Sequence, residues 1–223
     1  MKTNVFLIVL LTINLIAKAQ VIEILDELHF HKMINPDNTV SNTYDNIAGS
    51  PYLTENFVES TVYFRNDSAY KIALRYNIFD NRMEYEYKGL VYSVSNPRDI
   101  YKIIMDDKVF IYYFSKVNLG FEGWYQLLAD GKAILLLKQD IAFREKEKPD
   151  GITTPKPDRF VRNPDKYYVV IGSEPPKQLK NKKSIPLIFK DKAKEMSTFA
   201  KKEKISFRKK EDLVRLVKHY NSL

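Results

Sequence analysis

Three histidines, seven glycines and no cysteine narrow the chemistry open to this 223-residue chain. Without cysteine there is no thiolate metal ligand, no thiol nucleophile and no disulfide staple. His29-Phe30-His31 is the one histidine pair. In a strand its two rings would share a face, as some metal sites require, but no third strong ligand stands nearby and two exposed histidines is the simpler reading. His219 is alone on a C-terminal helical pattern and reads as a surface or partly packed residue. Glu84, Glu86, Asp106 and Asp107 are the carboxylates whose spacing suits acid–base work on a glycosidic bond. Glu84 and Glu86 alternate along a strand's polar side, however, and Asp106-Asp107 makes a turn, so structure explains them without catalysis. No G-x-S-x-G, no S-x-x-K followed by its partner motifs and no H-E-x-x-H pattern occurs, and seven glycines leave no phosphate-cradling loop. The reading leans toward a non-catalytic protein with no catalytic, metal or cofactor-binding residue and no cofactor.

Three further groups suit binding or modification. Trp124, flanked by Phe121 and Tyr125, is either an aromatic platform or part of a core, and small β cores favour the second. Asp67-Ser68-Ala69 lies in a polar turn between two predicted strands and looks like the D-[ST]-[aliphatic] acceptor of Bacteroidota O-glycosylation, which makes Ser68 a candidate glycan acceptor. The third group is basic. From Lys177 to Leu223 there are 15 Lys and Arg against 5 Asp and Glu, or +10 within a chain whose net charge is +8. Lys201, Lys202, Lys204, Lys209 and Lys210 are the candidate anion-facing patch, with an anionic membrane surface as the fitting partner. A solvated helical face explains them equally well, and the absence of interleaved aromatics argues against nucleic acid.

The elements that must position these residues follow from periodicity. Residues 1–19 read as a secretory signal peptide: Lys2 is the positive start, Val5–Ile16 the apolar run, and Ala17-Lys18-Ala19 the small-residue site, with cleavage between Ala19 and Gln20. Residues 20–56 are an N-terminal segment, partly loop. Residues 57–145 form the antiparallel β body. Within it Tyr70, Ile72, Leu74, Tyr76 and Ile78 face one way while Lys71, Arg75 and Asn77 face water, and Met83, Tyr85 and Tyr87 repeat the pattern after an Asp80-Asn81 turn. Lys108–Phe114 and Lys132–Lys138 are apolar on both sides, which calls for packing above and below. Residues 146–158, with three prolines, are a linker or long loop. Residues 159–223 hold a β-hairpin followed by a basic helical C-terminus. There Ser184 is placed to cap a helix through Ile185-Pro186, Asp191 offers an alternative restart after a break at Phe189-Lys190, and 211–220 is a firmer amphipathic helix. The fold class expected is α+β, a predominantly antiparallel β meander forming a sandwich or partial barrel with a small C-terminal helical region.

Several blocks together resemble an uncharacterised family of secreted or periplasmic proteins from Bacteroidota. They are Thr43-Tyr44-Asp45-Asn46-Ile47 with Gly49-Ser50-Pro51-Tyr52-Leu53, Leu74-Arg75-Tyr76-Asn77 with Met83-Glu84, Lys156-Pro157-Asp158-Arg159-Phe160, Tyr167-Tyr168, and the stretch from Glu211-Asp212-Leu213 to Tyr220-Asn221. The resemblance implies an exported protein, periplasmic or extracellular and not integral to the membrane, and it brings no known activity or catalytic residue. The expected function is a non-catalytic cell-envelope or interaction protein. A binding module for an anionic or glycan ligand is the first alternative, and a glycan-directed hydrolase using carboxylates the second. The partners that fit are an envelope protein, a glycan or an anionic membrane surface.

Overall fold

The computed structural model describes residues 29–32, 39–40, 44, 46–114, 119–148 and 155–223. The expected signal peptide and its Ala19–Gln20 junction lie outside those residues. Ten strands form one antiparallel sheet in the order β12-β11-β8-β7-β6-β5-β1-β2-β3-β4, and β9 and β10 form a separate two-stranded ladder. The strands are β1 Val58–Phe64, β2 Ala69–Asn77, β3 Arg82–Tyr87, β4 Leu90–Ser93, β5 Ile100–Met105 and β6 Lys108–Tyr113, then β7 Gly123–Ala129, β8 Ala133–Lys138, β9 Ile141–Arg144, β10 Arg159–Arg162, β11 Lys166–Ile171 and β12 Lys177–Gln178. Two meanders run outward in opposite directions from β1. The first ends at β4, and a 3-10 turn at Pro97–Asp99 returns the chain to lay β5 on the free side of β1. The 146–158 segment joins β9 to β10, whose register runs from Arg159 against Arg144 to Arg162 against Ile141, and β11 then rejoins the large sheet beside β8.

The sheet stays open but curls sharply. Strands β2 and β7 are four places apart in it, roughly 19 Å in a flat sheet at normal strand spacing. Yet the Tyr76 hydroxyl on β2 reaches the Trp124 carbonyl on β7 at 3.4 Å. The curl wraps the alternating side chains of β1–β6 into an aromatic-rich core in which Val62, Leu74, Met83, Tyr85, Ile100, Ile103 and Phe110 are fully buried. At the mouth of that curl Asn81 fastens the β2–β3 turn to β7. Its Oδ1 accepts from the Trp124 backbone N–H at 3.1 Å and from the Tyr76 hydroxyl at 2.9 Å. Only a glycine fits opposite it: a Cβ on Gly123 would stand 1.9 Å from the Asn81 amide nitrogen, and Gly123 has φ +142°.

Helices cover the other half. They are the single turn α1 Ile185–Ile188, α2 Ala193–Lys202 and α3 Lys210–Asn221. Leu213, Leu216, Val217 and Tyr220 of α3 join Met196 and Ala200 of α2 over Ala133, Leu135 and Leu137 of β8. Each such buried aliphatic side chain contributes about 1.5–3 kcal/mol. The break falls at Phe189, so α2 restarts through a 3-10 turn at Lys190–Lys192, which is the second of the two helix readings. Ser184 does not cap α1. Its Oγ accepts from the Lys180 backbone N–H at 3.2 Å instead, within a capping box that Asn181 leads. Asn221, at the end of α3, accepts from the Ala133 N–H at 2.7 Å and donates to the Ala133 carbonyl at 2.9 Å. It thereby pins the helix to the β7–β8 turn.

Candidate functional site

Arg75, Asn77 and Glu84 do not face water, contrary to the alternation reading. Asn77 and Glu84 are fully buried and Arg75 is 8% exposed. The reason is a covering segment. Residues 46–57 run across the outer side of β2 and β3, held where the Leu53 N–H meets the Tyr76 carbonyl at 2.9 Å and the Ile78 N–H meets the Pro51 carbonyl at 2.8 Å. Beneath it the Arg75 guanidinium sits 3.8 Å over the Tyr52 ring and 4.5 Å from the Phe57 ring. Glu84 accepts from Arg75 at 2.7 Å, Arg82 at 2.8 Å and Asn77 at 3.1 Å. Two cations and an amide satisfy one carboxylate, so the charge is tolerable without water. Burial first, and then the nearby Glu84 charge, push the Tyr52 hydroxyl up to about 12. The cluster has no cavity of its own, and its carboxylate oxygens are all engaged. It is a structural lock that also fixes Arg82.

Arg82 reaches from this lock into a cleft of about 580 Å³ at the open edge of the curl. The size lies within the roughly 300–1,000 Å³ typical of small-molecule sites. The β2–β3 turn supplies Asn81 and Arg82, the crossover supplies residues 94–99, and β6 and the start of β7 supply Tyr112, Glu122 and Trp124. Its two cations are paired, while the Asp99 carboxylate in its lining has no ion pair among the described residues. Arg98 Nε donates to Glu122 at 3.1 Å, and Arg82 is held by Asp80 at 3.1 Å and Glu84 at 2.8 Å. The Arg98 hydrogen bond holds the Glu122 carboxyl below the usual range. That shift favours the ionised carboxylate, the opposite of the shift a general acid needs. What the cleft presents is two paired cations, the Asp99 carboxylate, the amides and hydroxyls of Asn81, Ser95 and Asn96, and the flank of Tyr112.

Of the residues singled out in the sequence, only Trp124 borders the cleft. It is 2% exposed in the aromatic core, as the favoured core reading has it, and Tyr125 points to the opposite face of β7, so successive strand positions divide the alternative platform. Residues 29–32 are helical rather than extended. Phe30 is fully buried, and His31 stacks on Tyr87 with ring centroids 4.1 Å apart while its Nδ1 lies 2.9 Å from the Tyr85 hydroxyl. No cluster of three metal-ligating side chains occurs among the described residues. His219 stacks on Phe199. Ser68 closes the β1–β2 turn, half-buried, with its hydroxyl donating to Asn66 Oδ1 at 2.7 Å. Lys201, Lys202, Lys204, Lys209 and Lys210 are all exposed, spanning the end of α2, the following turn and the start of α3. No described helix is long and apolar enough to cross a membrane.

No protein-family model, curated protein or solved structure matches this chain. The functional argument therefore rests on the geometry of the cleft. Periodicity missed that cleft because it is assembled from a turn, a crossover and two strand ends that are up to 43 positions apart. The one signal available was Asn81, a turn residue placed to hold a positive φ, here 52°.

Proposed function

We propose that the protein is an exported, non-catalytic cell-envelope protein that binds a neutral glycan in the cleft at the edge of its curled sheet. The export half rests on the n-, h- and c-region order of residues 1–20. The binding half rests on one observation: both cations of the cleft are already paired, Arg98 with Glu122 and Arg82 with Asp80 and Glu84. An anion would have to break those pairs, whereas a polyhydroxyl ligand exchanges hydrogen bonds with guanidinium, carboxylate and amide together and lies against the Tyr112 flank. The lowered Glu122 carboxyl favours holding a sugar over hydrolysing one.

The sole tryptophan lines this cleft and reports on it directly. Titrating chitotriose, maltotriose and cellotriose against the purified protein should change Trp124 fluorescence saturably for at least one sugar. Arg98→Ala should weaken that binding by about tenfold. Inorganic phosphate should leave the signal unchanged. A phosphate response with none from any sugar would reverse the assignment, and release of shorter sugars would reinstate the hydrolase.

A further inference from the structure

We propose that the opposite face of β5–β8 carries a second site, for a long-chain fatty acid. Among the described residues the doubly apolar β6 is covered on only one side. Phe110 is buried in the aromatic core, while Ile111 and Tyr113 point the other way and stay half-exposed. They open a groove of about 480 Å³. Its floor is Val109, Ile111, Leu127 and Ile134, contributed by three neighbouring strands. Tyr101, 53% exposed, and Phe114, 39% exposed, stand at one end. Side chains of this kind are normally covered in a folded chain, and a contiguous apolar face with a polar rim marks a binding surface.

Charge identifies the head of the ligand. Arg65 and Lys102 line the end where Tyr101 and Phe114 stand, and neither has a carboxylate within ion-pair distance among the described residues. The Arg65 Nε donates to the Arg98 carbonyl at 2.9 Å, which fixes the guanidinium and leaves its terminal nitrogens for an acceptor. Lys102 lies 5.0 Å from the Tyr63 ring and 5.6 Å from the Tyr101 ring. At the far end, beyond Leu127 and next to Ile134, stands Asp130. An apolar trough with two cations at one end and a carboxylate at the other is polarised for a carboxylate head and an alkyl chain, with the head at Arg65 and Lys102. The sugar cleft has the reverse character: its cations are paired and its walls polar. The same face is short of polar partners elsewhere too, since the buried hydroxyl of Tyr125, opposite Ile111 in the β6–β7 ladder, has no hydrogen-bond partner among the described residues.

The test titrates sodium dodecanoate, below its micelle concentration at pH 8, into the purified protein by calorimetry and protein-detected NMR. Dodecyl maltoside supplies the same chain with a neutral head, and acetate the head alone. Dodecanoate should saturate a single site with shifts confined to β5–β8. It should bind about tenfold more tightly than dodecyl maltoside, and acetate should not bind. The Arg65→Ala, Lys102→Ala double variant should erase the preference for the charged head. Tyr101→Ser with Phe114→Ser, at exposed positions, should weaken both long-chain ligands with the thermal unfolding midpoint unchanged. No saturation by dodecanoate, equal affinity in all variants, or binding of acetate as tight as dodecanoate would overturn the proposal. So would a dimer that the Tyr101 and Phe114 substitutions dissolve and dodecanoate does not, since the face would then belong to a second copy. The two sites touch, since Tyr112 lines both, the Arg98 guanidinium lies 5.3 Å from the Phe114 ring and Arg65 holds the Arg98 carbonyl, so each variant is also titrated with sugar, and loss of dodecanoate with sugar binding retained assigns the loss to the groove.

Discussion

The two halves of the large sheet solve the same problem by different means. Both carry strands that must be covered. Over β7, β8 and β11 the covering elements are amphipathic helices, and the cluster they bury is wholly of apolar and aromatic residues. Over β2 and β3 the cover on the outer side is an irregular segment, residues 46–57, and what lies under it is Arg75, Asn77 and Glu84. A helix satisfies its own backbone and offers an apolar stripe, so its partner face must be apolar too. The irregular segment lays the Tyr52 and Phe57 rings on Arg75 and leaves the charges beneath to be satisfied among themselves. The difference teaches that alternation along a strand assigns faces and does not assign solvent.

The largest effect expected from this contrast comes from breaking the lock. Glu84→Ala strands the buried Arg75 guanidinium, leaves Arg82 with Asp80 alone, and should cost about 3–5 kcal/mol by urea unfolding. Pairing it with Arg75→Met should restore much of the loss, because the unpaired charge rather than the missing contact is what costs. If the single variant loses under 1 kcal/mol, as a surface position would, the two halves do not differ as described.

A smaller effect compares the two asparagine clamps. Asn81→Ala and Asn221→Ala each orphan backbone groups, and each should cost about 1–3 kcal/mol. Only the first should also weaken sugar binding at the cleft, as read by Trp124 fluorescence. Equal loss of sugar binding from Asn221→Ala would mean that the cleft depends on global stability and not on the β2–β3 turn.

The smallest effect is pH-dependent and belongs to the aromatic half. Burial, and then the charge of Lys88, hold the His31 imidazole below its usual 6.5. Because the folded state disfavours the proton, the contribution of this contact is fully present above pH 6.5 and is lost as pH falls through the folded value. NMR titration should place the His31 midpoint below that of an unfolded peptide, and His31→Gln should flatten the acid side of the stability profile. A midpoint at or above 6.5 would contradict the packed position of residues 29–32.

Periodicity made most of the sheet legible. The Tyr70–Ile78 and Met83–Tyr87 alternations are β2 and β3, and the two doubly apolar runs are β6 and β8. The 3.6-residue stripe of Leu213, Leu216, Val217 and Tyr220 is the buried face of α3. These patterns are local, because one face of each element must be apolar for it to pack at all. The site residues were less legible. Arg82, Arg98 and Glu122 carry no spacing signature, since residues 24 or more apart meet only when the sheet has curled.

By itself, then, the sequence determined the kind of element at each place, the lack of any thiol chemistry and the basic C-terminal stretch. Tertiary structure alone decided three things. It placed β5 beside β1 instead of β4, which curls the sheet and opens the cleft. It laid residues 46–57 over β2 and β3, turning a wet polar face into a buried lock. And it packed helices over one side of β8 and the aromatic core over one side of β6, leaving Ile134 and Ile111 on their other sides at the groove. The physical reason is common to all three. A side chain's type states what surroundings it prefers, but only the packing of distant segments determines which surroundings it receives.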